Sequence, residues 1–164
     1  MVREVVLFGD PILRQKAGLV SQVTDETRTL IDDMLDTMYS QEGVGLAAPQ
    51  VGVDARIIVV DPRAEDTPAL ALVNPRVVQA SEVTERDEEG CLSLPGLKDI
   101  VERSVNVVVE ALDPDGQAVR IEAEGLLARI LQHEIDHIDG ILFIDRVSPL
   151  KRRMLIKKWR KVRT

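Results

Sequence analysis

The stretch that most constrains this chain is His133–Glu134–Ile135–Asp136–His137, which holds both histidines of the 164-residue sequence. On an α-helix, at about 100° per residue, His133 and His137 lie about 40° apart. Glu134 sits about 100° from the first and about 60° from the second. All three side chains therefore share one sector of the helix, one turn deep. Two imidazoles four residues apart can bind one metal ion, and the carboxylate beside them can accept a proton from a water that the metal activates. The plainer alternative is a helix with two solvated histidines.

The flanking residues fit a helix that is buried on one side. Leu127, Leu131, Ile135 and Ile138 recur at spacings of four, four and three. They form one apolar stripe, set mostly away from the histidines. One face can thus enter a core while the other carries chemistry. Gly140 stands where a left-handed residue ends a helix. No good N-cap precedes Gly125, so the start is open.

The length fits one domain, residues 1–164, with a sizeable core. Aromatic residues are only 2% of the chain against 45% hydrophobic overall, so the core must be built from Val, Leu, Ile and Ala. Met1–Phe8 lacks the pattern of a secretory signal, and no apolar run approaches the ~20 residues that span a bilayer. A single cysteine, Cys91, cannot form an internal disulfide, which fits a reducing compartment. The expected location is the cytoplasm, with no membrane partner. Charge is uneven: residues 1–150 carry 28 acidic and 13 basic residues, whereas residues 151–164 carry eight basic residues and no acid. Such a split points to a partner for the tail.

In chain order, Asp10–Pro11 predicts a short helix, Pro11–Lys16. Thr24 or Asp25 caps a second helix, in which Leu30, Ile31, Met34, Leu35 and Met38 repeat at helical spacing to about Ser40. Gly43–Val44–Gly45–Leu46–Ala47–Ala48–Pro49–Gln50 then ends the helix and opens an extended segment. Its two glycines permit unusual backbone angles or close approach of another chain. By itself this stretch reads more simply as a cap and turn. Arg56–Val60 is a buried strand. Ala69–Val73 and Arg76–Ala80 are strands interrupted by Asn74–Pro75. Glu82–Glu89 is expected to be a solvated acidic face. Val105–Leu112 and Gln117–Ala123 form a β-hairpin around Asp113–Gly116. Ser148 and Pro149 begin a basic C-terminal helix, residues 148–164. Leu150, Met154, Leu155 and Trp159 are expected to pack it on the body.

Glu89–Gly90–Cys91–Leu92–Ser93 surrounds the lone cysteine. A cysteine in such a place is commonly a small buried hydrophobe. The histidine pair adds a second reading, because a catalytic metal site usually takes three protein ligands and keeps one position open. Cys91 is the remaining soft donor, a carboxylate elsewhere being the alternative. Gly90 leaves room beside it for a substrate.

These three segments, in this order, resemble the three motifs of the peptide deformylases, bacterial type, and the resemblance extends to Gly9–Asp10–Pro11, Gln132 and Asp139–Gly140. It implies an α+β fold with β-sheets packed around a central metal-bearing helix, plus a C-terminal helix. It implies a hydrolase that removes the formyl group from the formyl-methionine of new polypeptides. By the same resemblance Cys91, His133 and His137 are the metal ligands and Glu134 the general acid/base. The Gln50 side chain and the Leu92 N–H stabilise the oxyanion. Val44 and Ile130 hold the methionine side chain, Gly45 pairs with the peptide backbone, and Gly45 and Gly90 narrow the pocket. The implied cofactor is one iron(II) per chain, replaceable by zinc, nickel or cobalt. The implied partners are the nascent peptide and the ribosome, reached through residues 151–164. Arg129 either rims the pocket or is solvated. Two other readings remain: a zinc endopeptidase, which lacks its usual third ligand here, and a non-catalytic module of the same fold.

Overall fold

The computed structural model describes residues 1–163; Thr164, the last residue of the basic tail, lies outside the described residues. Helix α1 spans Asp25–Ser40 and starts where Thr24 predicts. The Thr24 hydroxyl accepts from the Thr27 N–H, and the Thr27 hydroxyl accepts from the Thr24 N–H. This reciprocal cap satisfies two donors that the first turn leaves without partners. The preceding short helix is a single 3₁₀ turn, Pro11–Arg14, ending before the expected Lys16.

Seven strands follow: β1 Gly45–Ala47, β2 Ile57–Val60, β3 Leu70–Ala80, β4 Thr84–Gly90, β5 Lys98–Ser104, β6 Asn106–Leu112 and β7 Ala118–Glu124. They form a five-stranded antiparallel sheet, in the order β1-β2-β3-β6-β7, and a separate two-stranded sheet of β4 and β5. The predicted β6–β7 hairpin is present. The two strands expected around Asn74–Pro75 are one strand, β3, whose register shifts between Val73 and Arg76. Asn74 adopts a left-handed φ of 53°. Its amide replaces a strand neighbour there, accepting from the Val20 N–H and donating to the Val20 carbonyl. The acidic run expected to be solvated is β4. Most of it is exposed, but Glu89 is buried.

Helix α2, Gly125–Ile138, lies against one face of the large sheet, and α1 lies against the other. Strand β2 makes this visible residue by residue. Ile58 and Val60 pack with Leu131, Ile135 and Ile138 of α2. Ile57 and Val59 pack with Leu30, Ile31, Met34 and Met38 of α1. A strand buried on both faces reads as an unbroken apolar run, and each such side chain contributes about 1.5–3 kcal/mol on leaving water. Helix α3, Pro149–Arg163, closes a third apolar cluster with Leu155 and Trp159, against Leu94, Leu97, Val101 and Phe143. Leu150 and Met154, expected in that contact, are instead each 61% exposed, because they fall on the outer side of the helix. No helix among the described residues is long and apolar enough to cross a membrane.

The end of α2 is anchored from outside. Its Ile138 carbonyl accepts from the Ala17 N–H and from Arg56, whose second guanidinium nitrogen reaches Asp139. Gly140 follows with φ +77°, and a Cβ there would stand 2.6 Å from the Arg14 carbonyl oxygen. Gly140→Ala therefore meets both left-handed strain, about 1–2 kcal/mol, and a backbone clash. Gly96 has φ +84° but open space around its Cβ position. Thermal unfolding of the two alanine variants separates the effects: Gly96→Ala loses the strain energy alone, whereas Gly140→Ala loses clearly more, with its midpoint lower by at least about 4 °C.

Candidate metal centre and active-site pocket

Helix α2 carries His133, Glu134 and His137 on one buried face, as their spacing requires. The segment after β4 brings Cys91 to them. The ligand atoms of Cys91, His133 and His137 all lie within 4.8 Å of one another. Cys91 Sγ is 3.3 Å from His137 Nε2, and the two imidazole rings are 4.9 Å apart at 64°. One thiol and two imidazoles form a soft, nitrogen-rich donor set that suits zinc, iron or nickel rather than calcium or magnesium. Among the described residues this is the one His/Cys/Asp/Glu cluster arranged to hold an ion.

The charges around these donors also fit a cation. Glu89 Oε1 accepts from His133 Nδ1 at 2.8 Å, so the proton stays on Nδ1 and the Nε2 lone pair faces the cluster. Burial works against a charge on His133, but Glu134, Cys91 and Glu89 outweigh it and draw positive charge to this ring. A metal ion would supply that charge. Burial, aided by repulsion from His133 and Arg103, holds His137 well below the ordinary histidine range, so it is the neutral, ligating form.

Glu134 is 4% exposed and its Oε1 has no partner among the described residues. Its Oε2 lies 3.9 Å from His133 Nε2. Burial pushes its carboxyl up to about 7, with His133 opposing and Glu89 reinforcing the shift. A carboxyl balanced near neutrality can both accept and return a proton. Its seat exists because residue 45 is glycine: a Cβ there would stand 2.5 Å from Glu134 Oε2.

Gln50 is 1% exposed. Its Oε1 accepts from the Ala47 N–H, which turns Nε2 toward Ser93 Oγ and Cys91 Sγ, at 3.1 and 3.5 Å. Gln50, Cys91, His133 and Glu134 border a cleft of about 500 Å³. Val44, Gly45, Gly90, Leu92 and Ile130 line it as well, so the structure gathers every site residue expected from sequence at this cleft except His137, which lies behind Cys91. Gly90 is tight rather than roomy, since a Cβ there would lie 3.2 Å from the Leu97 carbonyl.

Sequence reasoning missed the support beneath the site. Glu89 receives four N–H groups: His133 Nδ1, Arg103 Nε and Nη2, and Arg129 Nη1. Burial alone would raise its carboxyl, but the bonds from His133 and Arg103 hold it well below the usual range. Arg103 also donates to Asp136, which takes two further bonds from Arg146. Arg129 is therefore not solvated. It is buried in the cleft wall, where it props Glu89 and ties down the carbonyls of Val101 and Glu85. The one available signal was the position of Glu89 two residues before Cys91; its charged neighbours hid it.

Comparison with known proteins agrees with this geometry. A family model for polypeptide deformylase matches residues 2–153. The chain is 48% identical over 161 residues to the peptide deformylase of Thermodesulfovibrio yellowstonii, covering 97% of each. It is 51% identical over 154 residues to that of Halothermothrix orenii, covering 94% of this chain and 99% of the relative. The crystal structure of a peptide deformylase from Legionella pneumophila superposes with a TM-score of 0.93 at 45% identity, over 99% of this chain and 96% of that one. One from Synechococcus elongatus, in complex with actinonin, gives 0.90 at 45% identity, over 95% and 86%. With its three motifs meeting at one cleft and 94–99% of its length shared with these proteins, the chain belongs to the polypeptide deformylase family.

Proposed function

We propose that this cleft binds the formylated N-terminus of a newly made polypeptide and hydrolyses the formyl amide, releasing formate and a free amine. The observation that carries this reading is the buried Glu134, with an unpartnered oxygen, set beside the Cys91–His133–His137 cluster and across from the Gln50 amide. A divalent cation held by Cys91, His133 and His137, one per chain, would supply a Lewis acid that polarises the formyl group and makes water acidic enough to ionise near neutral pH. Glu134 takes a proton from the attacking water as the water oxygen bonds to the formyl carbon. The carbon–nitrogen bond then breaks, and Glu134 hands the proton to the departing amine nitrogen. Negative charge developing on the formyl oxygen is met by Gln50 Nε2 and the Leu92 N–H, donors that are worth about 3–4 kcal/mol each in comparable sites.

Val44 and Ile130 hold the methionine side chain. Gly45 lies on β1, an end strand of the large sheet, where an extended peptide can add as a further strand. Gly45 and Gly90 keep the formyl end narrow, which excludes bulkier acyl groups. The reading takes residues 1–164 as one catalytic unit working in the cytoplasm.

Glu134→Gln keeps the shape and removes the proton acceptor. Formate release from a formyl-methionyl peptide should fall by ~10²–10⁴-fold, while metal content stays at one ion per chain. Near-normal turnover would reassign Glu134.

The ion is proposed to be iron(II), with zinc, nickel or cobalt as substitutes. Protein purified without oxygen should contain iron, and exposure to air should release it or oxidise Cys91, a thiolate open to oxidation. The nickel form should resist. Mass spectrometry of residue 91 and metal analysis read this without an activity assay, and equal air stability of the two forms would count against iron.

The tail is proposed to dock on ribosomal RNA. Arg153, Lys157 and Lys158 are exposed, whereas Leu155 and Trp159 bind the body. Deleting the last turns would therefore unpack Trp159, so reversing the charge of Arg153, Lys157 and Lys158 to Glu is the cleaner test. Co-sedimentation with ribosomes at low salt should drop sharply, and that of the unaltered protein should weaken steeply with salt through counterion release. Peptide turnover should be preserved. Undiminished co-sedimentation would reject the docking.

A further inference from the structure

The segment Glu42–Gly45 forms one wall of the cleft and runs into the end strand β1. Its backbone is held in an unusual path: Glu42 has φ +57°, and a Cβ on Gly43 would stand 2.9 Å from Leu92 Cδ1 on the cleft wall. The loop after β2 grips this segment from outside. The Asp61 N–H donates to the Val44 carbonyl at 2.7 Å, one step beyond the β1–β2 ladder. Asp61 also accepts from the Tyr39 hydroxyl and, at 2.7 Å, from the Arg63 N–H. Arg63 is left-handed, with φ +59°, a conformation uncommon outside glycine. That turn brings its guanidinium back over the Tyr39 ring, 5.5 Å from the centroid, and its Nη2 donates to the Gly43 carbonyl at 2.9 Å.

We infer that Arg63 is a positioning residue for the peptide-binding edge, clamping the Gly43 carbonyl so that Val44 and Gly45 are presented to a substrate strand. The inference rests on the proposed reading of the cleft. Arg63 is exposed and belongs to no apolar cluster, so its loss does not open the core. Its side chain instead makes one charge-assisted hydrogen bond to Gly43, at the edge of the cleft, and one contact with the Tyr39 ring of α1. A substrate that pairs along the edge should feel the clamp more than one that ends at its methionine.

The test compares formyl-Met-Ala-Ser with formyl-methioninamide. Arg63→Ala should raise KM for the tripeptide about five- to tenfold, the range expected for losing a typical hydrogen bond, since this one is exposed to solvent. Its kcat should stay within about twofold, and KM for the amide should rise clearly less, because the amide meets Val44 and Gly45 but has no second residue to pair along the edge. Arg63→Lys keeps a donor but not the planar stack, and should recover part of the loss. The thermal midpoint of both variants should stay within about 4 °C of the parent protein. An unchanged tripeptide KM in Arg63→Ala overturns the proposal, as does an equal rise for both substrates or a loss of kcat accompanied by a lower midpoint. Calorimetric titration of the tripeptide into Glu134→Gln protein, with and without Arg63→Ala, measures the same ratio without turnover. If the parent protein binds peptide but releases no formate, the reading of the reaction fails while the clamp is still measured.

Discussion

The Glu89 carboxylate is the interaction on which the rest of the site depends. Burying a charge costs several kcal/mol, and here one carboxylate is surrounded by two guanidiniums and an imidazole that bring four N–H groups to it. Each group makes sense only with the others present. Without Glu89, Arg129 loses its counter-charge and Arg103 keeps only Asp136, and breaking a buried pair costs on the order of 3–5 kcal/mol in comparable cases. The same carboxylate decides which nitrogen of His133 carries the proton. A single residue thus sets both the stability of the small sheet and the orientation of a proposed ligand.

This arrangement also explains how the two sheets relate to α2. The large sheet meets the helix through apolar side chains of β2, β3 and β6. The small sheet meets it mostly through charge: Glu89 from β4 and Arg103 from β5 reach Arg129, His133 and Asp136. Apolar packing tolerates small displacements, whereas charge-assisted hydrogen bonds constrain direction as well as distance. The side of the helix that carries chemistry is the side held by directional bonds.

Much of this was legible in the sequence, for identifiable reasons. Thr24, the apolar spacing of Leu30 to Met38 and the stripe from Leu127 to Ile138 mark two helices because burial on one side imposes a period. The hairpin around Asp113–Gly116 is legible because its turn residues are specific. His133, Glu134 and His137 are legible because their spacing has a geometric meaning on a helix. Strands β4 and β5 are not. In Thr84–Gly90 the one buried side chain is a glutamate, and in Lys98–Ser104 the two buried ones are Val101 and Arg103. A buried charge leaves no mark in hydropathy, because its partners come from distant segments. Arg129 was ambiguous for the same reason. Leu150 and Met154 failed in the opposite direction: an apolar residue on a helix need not face the core when Leu155 and Trp159 already fill the contact.

The absent side chain at Gly45 has a consequence for descent. The space a methyl group would take is occupied by the carboxylate of Glu134. Enlarging residue 45 first evicts the acid; shortening residue 134 first leaves a void where the acid stood. Neither single step keeps both the strand edge and the carboxylate where they are, so the two positions behave as one heritable unit. A lineage that holds this pair has no gradual exit from this corner of its own sequence space, because each residue can change only together with the other.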